Sequence, residues 1–403
     1  MAIKTVRNQI KKKRNKKTER KQTIKASLKS AMHLEDDEQA RMGLKIASQF
    51  RVPASISTIP ASSFSGEALY VGIDLGTSRS AIAASNGVRE VVPTYVGYPK
   101  DNISKELLGS RILFGEEALK HRLSVDLVRP LARGVIQTNG QGDKNKNLIA
   151  AEQLIRYLLK RVKPKPGQPV YGVIGAPARA SIQSKRFIVD AAKGILNAVM
   201  IVSEPFSVAY GMGLLDRALV VDIGAGTTDL CRLHGTFPEE DDQITLDQAG
   251  DFVDETFAAL VREKYPEAQF NLNMLRALKE QNGFVSSQSE RVLARFPVGG
   301  RPREFDLTDP LREACREIVP GIIQSIEKLI ASFDPEFQEA IRSRVILAGG
   351  GSQMIGLAKL VEEGLSDLGG GHVTRVEEPV FAGANGALKM ARRMPKRFWQ
   401  VLV

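Results

Sequence analysis

The chain has 403 residues, 43% hydrophobic and 26% charged, a balance that supports more than one buried core. It contains no run of about 18 apolar residues, which argues against a spanning helix and for a soluble or at most peripheral protein. Two cysteines, Cys231 and Cys315, and four scattered histidines exclude a disulfide framework and a zinc site and fit a reducing cytoplasm. The net charge of +11 suggests nucleic acid until it is located. Residues 1–30 carry 12 Lys or Arg against the single acid Glu19, which leaves the remainder neutral, so nucleic-acid binding by the folded body is not expected.

The basic arm, KKKRNKK at Lys11–Lys17, gives way to a Ser/Pro/Ala linker between Arg51 and Gly66. Residues 1–65 are read as an extension without fixed structure: a solvated tail, an electrostatic contact to anionic lipid or nucleic acid, or a stretch upstream of a true start at Met42. From Ala68 short apolar strands begin. ALYVGIDLG, SAIAASNG and VREVVP predict three strands, with Asn86-Gly87 signalling a type I′ turn. Helical spacing follows at Asn147–Val162, a buried strand at Tyr171–Pro177, a helix from Ser181 and a strand at Ala198–Pro205. Phe398-Trp399 reads as core packing or a capping contact rather than a ligand site.

ALVVDIGAGTTDLCRL, Ala218–Leu233, then begins a second hairpin resembling the first. IDLGTS (Ile73–Ser78) and VDIGAGTTD (Val221–Asp229) share a strand, Asp-x-Gly, a hydroxyl-bearing small-residue turn and a returning strand, 148 residues apart from Asp74 to Asp222. Such repetition points to a duplicated half-domain. A polyphosphate is gripped by backbone N–H groups in turns free of bulky side chains, which explains the Gly, Ser and Thr. The aspartates would repel phosphate directly, and instead suit a magnesium ion held through water. Neither G-x-x-x-x-G-K-[ST] nor G-x-G-x-x-G occurs, so the P-loop and dinucleotide fingerprints are absent. VILAGGGSQMIGL, Val345–Leu357, adds a strand opening into Gly349-Gly350-Gly351-Ser352 and a helix, a junction that lets backbone approach a ligand.

The order IDLGTS, SEPFSVAYG, VDIGAGTTD, LAGGGSQ, EEPVFAGANGALKMA resembles the phosphate 1, connect 1, phosphate 2, adenosine and connect 2 motifs of the actin, heat-shock chaperone and sugar-kinase superfamily over residues 68–395. VGYPKD, VIGAPARAS, VSEPF and GTFPEEDDQITLDQAGDFVDE are similar to the MamK-type family of magnetosome-associated bacterial actins, and LVRPLARGVI to the cell-shape actins of MreB type. The resemblance implies an α/β actin-like ATPase fold: two duplicated RNase H-like half-domains flanking a nucleotide cleft, with smaller inserted subdomains. Expected boundaries are 66–210 for the first half, with an insert near 95–133, and 211–403 for the second, with an insert near 250–340.

Carried over by position, the resemblance assigns Asp74 and Asp222 to the water shell of Mg2+. Gly76, Thr77 and Ser78 become the first phosphate loop, and Gly224, Ala225, Gly226, Thr227 and Thr228 the second. Glu204 becomes the residue that orients the attacking water, with Asp222 beside it in catalysis. Lys279 and Glu280 fall beside the nucleoside, and Gly349, Gly350, Gly351 and Ser352 form the adenosine loop. The implied activity is ATP hydrolysis coupled to a homopolymeric cytoskeletal filament in the cytoplasm, arranged along a magnetosome chain with magnetosome-associated partners. No arginine or lysine finger is evident beside these motifs, so slow turnover is expected. The competing readings are a membrane scaffold of actin fold and a small-molecule kinase of the same superfamily.

Overall fold

The computed structural model describes residues 67–401 apart from 110, 137–140 and 288–289; the basic arm and its linker lie outside the described residues. The first half is a five-stranded sheet built from β1 (Leu69–Leu75), β2 (Arg79–Ala84) and β3 (Arg89–Pro93), with β9 (Val170–Ala176) and β10 (Ala198–Ser203) in spatial order 10-9-1-2-3. Strands 10, 9 and 1 run parallel, and 1, 2 and 3 form an antiparallel meander. Between β3 and β9 lie β4 (Val96–Pro99), β5 (Leu113–Phe114) and β6 (Val125–Val128), a small antiparallel sheet, and the hairpin of β7 (Leu131–Ala132) and β8 (Val135–Ile136).

The second half repeats the plan. β11 (Asp216–Ile223), β12 (Thr228–His234) and β13 (Gln243–Leu246) form the meander, and after the insert hairpin of β14 (Leu293–Val298) and β15 (Arg301–Asp306), β16 (Val345–Ala348) and β17 (Val373–Arg375) extend it in parallel. The order 13-12-11-16-17 mirrors that of the first sheet, so the duplication read from two Asp-x-Gly hairpins extends to whole sheets. The fold is the actin-like one.

The parallel strands are continuous apolar runs because helices cover both faces. Leu154, Ile155 and Leu158 of the helix Gln141–Arg161 and Ile188 of the helix Ile182–Ala192 pack on one face of the first sheet. The helices Glu204–Met212 and Ala382–Arg393 cover the other, where Phe398 and Trp399 are buried as core, Trp399 stacking on Tyr171 at 5.2 Å.

The Asn86-Gly87 turn differs from the type I′ expectation. That turn needs positive φ at both central residues, and only Gly87 has it, at 90°. Gly87 N–H donates to the Ala84 carbonyl at 3.0 Å, and Ala84 N–H to the Val88 carbonyl at 3.0 Å, which makes a three-residue loop. Asn86 is drawn away by its own amide, which donates to the Val162 carbonyl at 2.7 Å.

The two halves meet at the base through helices Glu204–Met212 and Ala382–Arg393, which approach backbone to backbone. A Cβ on Gly386 would stand 1.8 Å from the Ser207 carbonyl oxygen, and one on Gly72 would stand 2.1 Å from that of Ala384. Ser207 Oγ donates to the Gly383 carbonyl at 2.9 Å across the same seam. Gly386→Ala forces these backbones apart and is expected to lower stability by about 1–3 kcal/mol, the usual cost of overpacking. Urea unfolding measures it, and an unchanged midpoint removes the seam from this role.

Candidate functional site

The ends of β1 and β11 point into one cavity of about 410 Å3 between the halves. Asp74 pairs in register with Ala81 of β2 and Gly175 of β9, and Asp222 with Asp229 of β12 and Ala348 of β16, so equivalent strands deliver equivalent aspartates. Two glycines fix the turns that follow. A Cβ on Gly76 would meet the Arg79 carbonyl oxygen at 2.5 Å, and one on Gly226 would meet Thr77 Oγ1 at 2.4 Å, so the two loops touch where they face the cavity. Glu204 opens the helix after β10, with its Cγ 3.2 Å from where a Gly175 Cβ would be.

Of the residues expected from the sequence, the cavity wall gathers Asp74, Gly76, Thr77, Ser78, Glu204, Asp222, Gly224, Ala225, Gly226, Thr227, Lys279, Glu280, Gly349, Gly350 and Gly351. Thr228 and Ser352 stand behind that wall. Thr228 is buried and its hydroxyl donates to the Gln248 carbonyl at 2.7 Å, while Ser352 Oγ donates to the Gly349 carbonyl at 2.7 Å. Both brace a loop from behind. Lys279 reaches the wall but its ammonium is already held, 2.6 Å from Asp254 Oδ1 and 2.6 Å from the Gly250 carbonyl.

Four carboxylates dominate the electrostatics. Burial pushes Asp74 up to about 6. Glu204 is raised well above the usual range, by burial first and then by Asp74, Asp229 and Asp222, and Asp222 likewise by burial, Asp74 and Asp229. Asp229 is raised by burial, against hydrogen bonds from the Thr245 hydroxyl and the Ala178 N–H. Its Oδ2 is buried without a hydrogen-bond partner. Such a set calls for a cation. Among the described residues no three acidic, histidine or cysteine side chains form a ready cage.

Sequence reasoning missed Asp229, the last letter of VDIGAGTTD, which does not line the cavity but adds its charge to the carboxylate cluster behind it. It also missed Arg79, immediately after the first loop, and Gly134, Gln353, Met354, Pro379 and Val380, which arrive from distant segments. Only the first two had a local signal, their adjacency to the phosphate turns.

A profile of the MreB/Mbl protein family matches residues 68–397. The chain belongs to that family. Within it, the chain is 41% identical over 334 residues, 83% of this chain and 95% of the relative, to the actin-like protein MamK of Paramagnetospirillum magneticum. Among solved structures it resembles a MamK double helical filament at TM-score 0.79 and 40% identity, covering 82% of this chain and all of that one. A non-polymerising MamK mutant bound to AMPPNP matches at TM-score 0.63 and 40% identity, covering 81% and 99%. The chain is thus a MamK-type actin of the MreB/Mbl family.

The carboxylate cluster predicts a pH dependence for this bacterial actin. An acid whose folded pKa lies above its unfolded value binds more protons in the native state, so stability falls as pH rises from about 4 through 6 and beyond. Acids held low, such as Asp306 at about 2, are ionised in both states there and add no slope. Nucleotide-free protein is therefore expected to melt at a lower temperature at pH 7.5 than at 5.5, with Asp222→Asn flattening the difference. Thermal unfolding across that range checks it.

Proposed function

We propose that this chain binds and hydrolyses Mg-ATP in the cleft and polymerises into a cytoskeletal filament that arranges magnetosomes into a chain. The observation that carries the reading is the cavity itself: two glycine-rich loops from duplicated sheets face one another, with Asp74, Asp222 and Glu204 on its wall. The likeness to a MamK filament supports the assembly half of the proposal, and the AMPPNP-bound MamK relative supports the nucleotide half. Among the described residues no helix is long and apolar enough to cross a membrane. A filament in the cytoplasm, contacting magnetosome-associated proteins, accords with this reading.

The chemistry needs little covalent work from the protein. Phosphoryl transfer to water requires in-line positioning and neutralisation of charge spreading over the terminal phosphate. Magnesium, when bound, supplies most of that neutralisation. The backbone N–H groups of 76–78 and 225–227 would grip the phosphates, that of Gly224 being held by the Thr227 carbonyl at 2.9 Å, and Asp74 and Asp222 would hold the ion's water shell. Glu204, buried and held above the ordinary carboxylate range, orients the attacking water and accepts its proton. The second half carries Lys279, Glu280 and the loop 349–351 against the nucleoside.

Head-to-tail contacts between identical subunits do not close, so they give fibres, and nucleotide in the cleft can set the angle between halves and hence the contact strength. Sedimentation with Mg-ATP is expected to pellet the protein; a chain that stays monomeric at high concentration refutes the filament. Glu204→Ala is expected to lower phosphate release about 100-fold or more while sparing assembly. Wild-type turnover in that variant removes Glu204 from its role.

A further inference from the structure

Three arginines of the first half surround its phosphate loop, and each meets an acid of the second half. Arg79, which follows the loop directly, pairs with Glu280 of the helix Leu272–Asn282. Arg129 donates Nε to the Thr77 carbonyl at 2.9 Å and pairs through Nη2 with Asp251 at 2.9 Å, in the first turn of the helix Gly250–Lys264. Arg133, at the tip of the β7–β8 hairpin, reaches Asp247 at 3.0 Å.

That tip is wedged between the two phosphate loops. Arg133 and Gly134 both adopt positive φ, 51° and 65°, a conformation that an arginine keeps only where its surroundings impose it. Gly134 N–H donates to Thr77 Oγ1 at 2.8 Å, and a Cβ on Gly226 would fall 2.8 Å from Arg133 Cα. Behind Arg129 its acid is itself tied down. Asp251 also accepts from Arg276 at 3.2 Å, Arg276 is paired with Asp254 at 2.6 Å, and its Nη1 donates to Tyr95 of the first half at 3.1 Å.

We propose that Arg79, Arg129 and Arg133 form a clasp that keeps the halves closed around the cavity, holds the first phosphate loop in place and sets how fast nucleotide leaves. The proposal rests on reading the cleft as a nucleotide site. All three pairs span the cleft, so separating the halves must break them together. Arg129 is the central member, because the same guanidinium holds a carbonyl of loop 1 and a carboxylate of the opposite half. Opening would pull it from one or the other. The arginines act as positioning residues, through the loop rather than on the reacting atoms. Their pairs reach the surface, so salt weakens them and speeds release.

The test is dissociation of a fluorescent ATP analogue from the full chain with magnesium, chased with unlabelled ATP in a stopped flow. Arg133→Asp and Asp247→Arg are each expected to speed release roughly fivefold, the upper range for an exposed pair, and the swapped double variant to return within about twofold of wild type. Arg129→Gln, which loses a less exposed pair and the Thr77 contact, is expected to speed it about tenfold. Release within about twofold of wild type in Arg129→Gln and Arg133→Asp, or a double variant as fast as the singles, overturns the clasp. Amide exchange over residues 76–79, measured without nucleotide, is expected to rise in Arg129→Gln, and unchanged exchange overturns the clasp as well. A wild-type chain that retains no nucleotide sinks the ATP reading instead, and the exchange measurement then decides the clasp alone.

Discussion

Two carboxylates from each half, Asp74 and Glu204 from the first and Asp222 and Asp229 from the second, are brought into one buried cluster, and no cation of the described protein lies among the causes of their shifts. Burying like charges together is among the costliest arrangements a fold can sustain. It persists because the strand ends that present them are fixed by registers the cluster cannot disturb. Asp74 is locked between Ala81 and Gly175, and Asp222 between Asp229 and Ala348. Protonation or a cation is then the only way to relieve the repulsion, and the glycine turns beside the cluster leave room for a polyphosphate to bring the cation.

The remainder of the architecture is arranged around that pocket. Two sheets of equal order place the aspartates opposite one another, and the helices Glu204–Met212 and Ala382–Arg393 close the base with contacts that admit no side chain at Gly386. A Cβ on Gly383 of the same helix would lie 2.7 Å from Asp74 Oδ2. The seam that joins the halves is therefore in contact with the charge cluster, and a change of charge at Asp74 is felt at the joint. On the function proposed above, this contact would link the contents of the cleft to the angle of the halves.

Much of this was legible in the sequence, for a local reason. Asp74, Gly76, Asp222, Gly224 and Gly226 sit in short motifs whose chemistry is set by adjacent residues, and the duplication made each hairpin support the other. What the motifs do not give depends on direction or distance. Thr228 stands in a phosphate turn, but strand alternation turns it toward Gln248 and away from the cavity. Ser352 faces back to its own loop. The Asn86-Gly87 signal was right about a turn and wrong about its type, because a carbonyl 76 residues away captured the asparagine amide. Pro379 and Val380 reach the site only once the two sheets are assembled, and nothing near them in the chain announces it.

The charge pattern of the cleft has two opposed layers. Inside, carboxylates of both halves repel; at the rim, Arg79, Arg129 and Arg133 of one half attract Glu280, Asp251 and Asp247 of the other. Exposed pairs of this kind each contribute on the order of 0–1 kcal/mol, less than the repulsion they oppose when the cluster is ionised. The rim alone is then a weak fastener. With a cation and polyphosphate between the loops the interior term changes sign, and both layers act to close the same two bodies. On the function proposed above, closure and occupancy would be one equilibrium, and whatever senses the angle between the halves, a neighbouring subunit included, would sense the contents of the cleft.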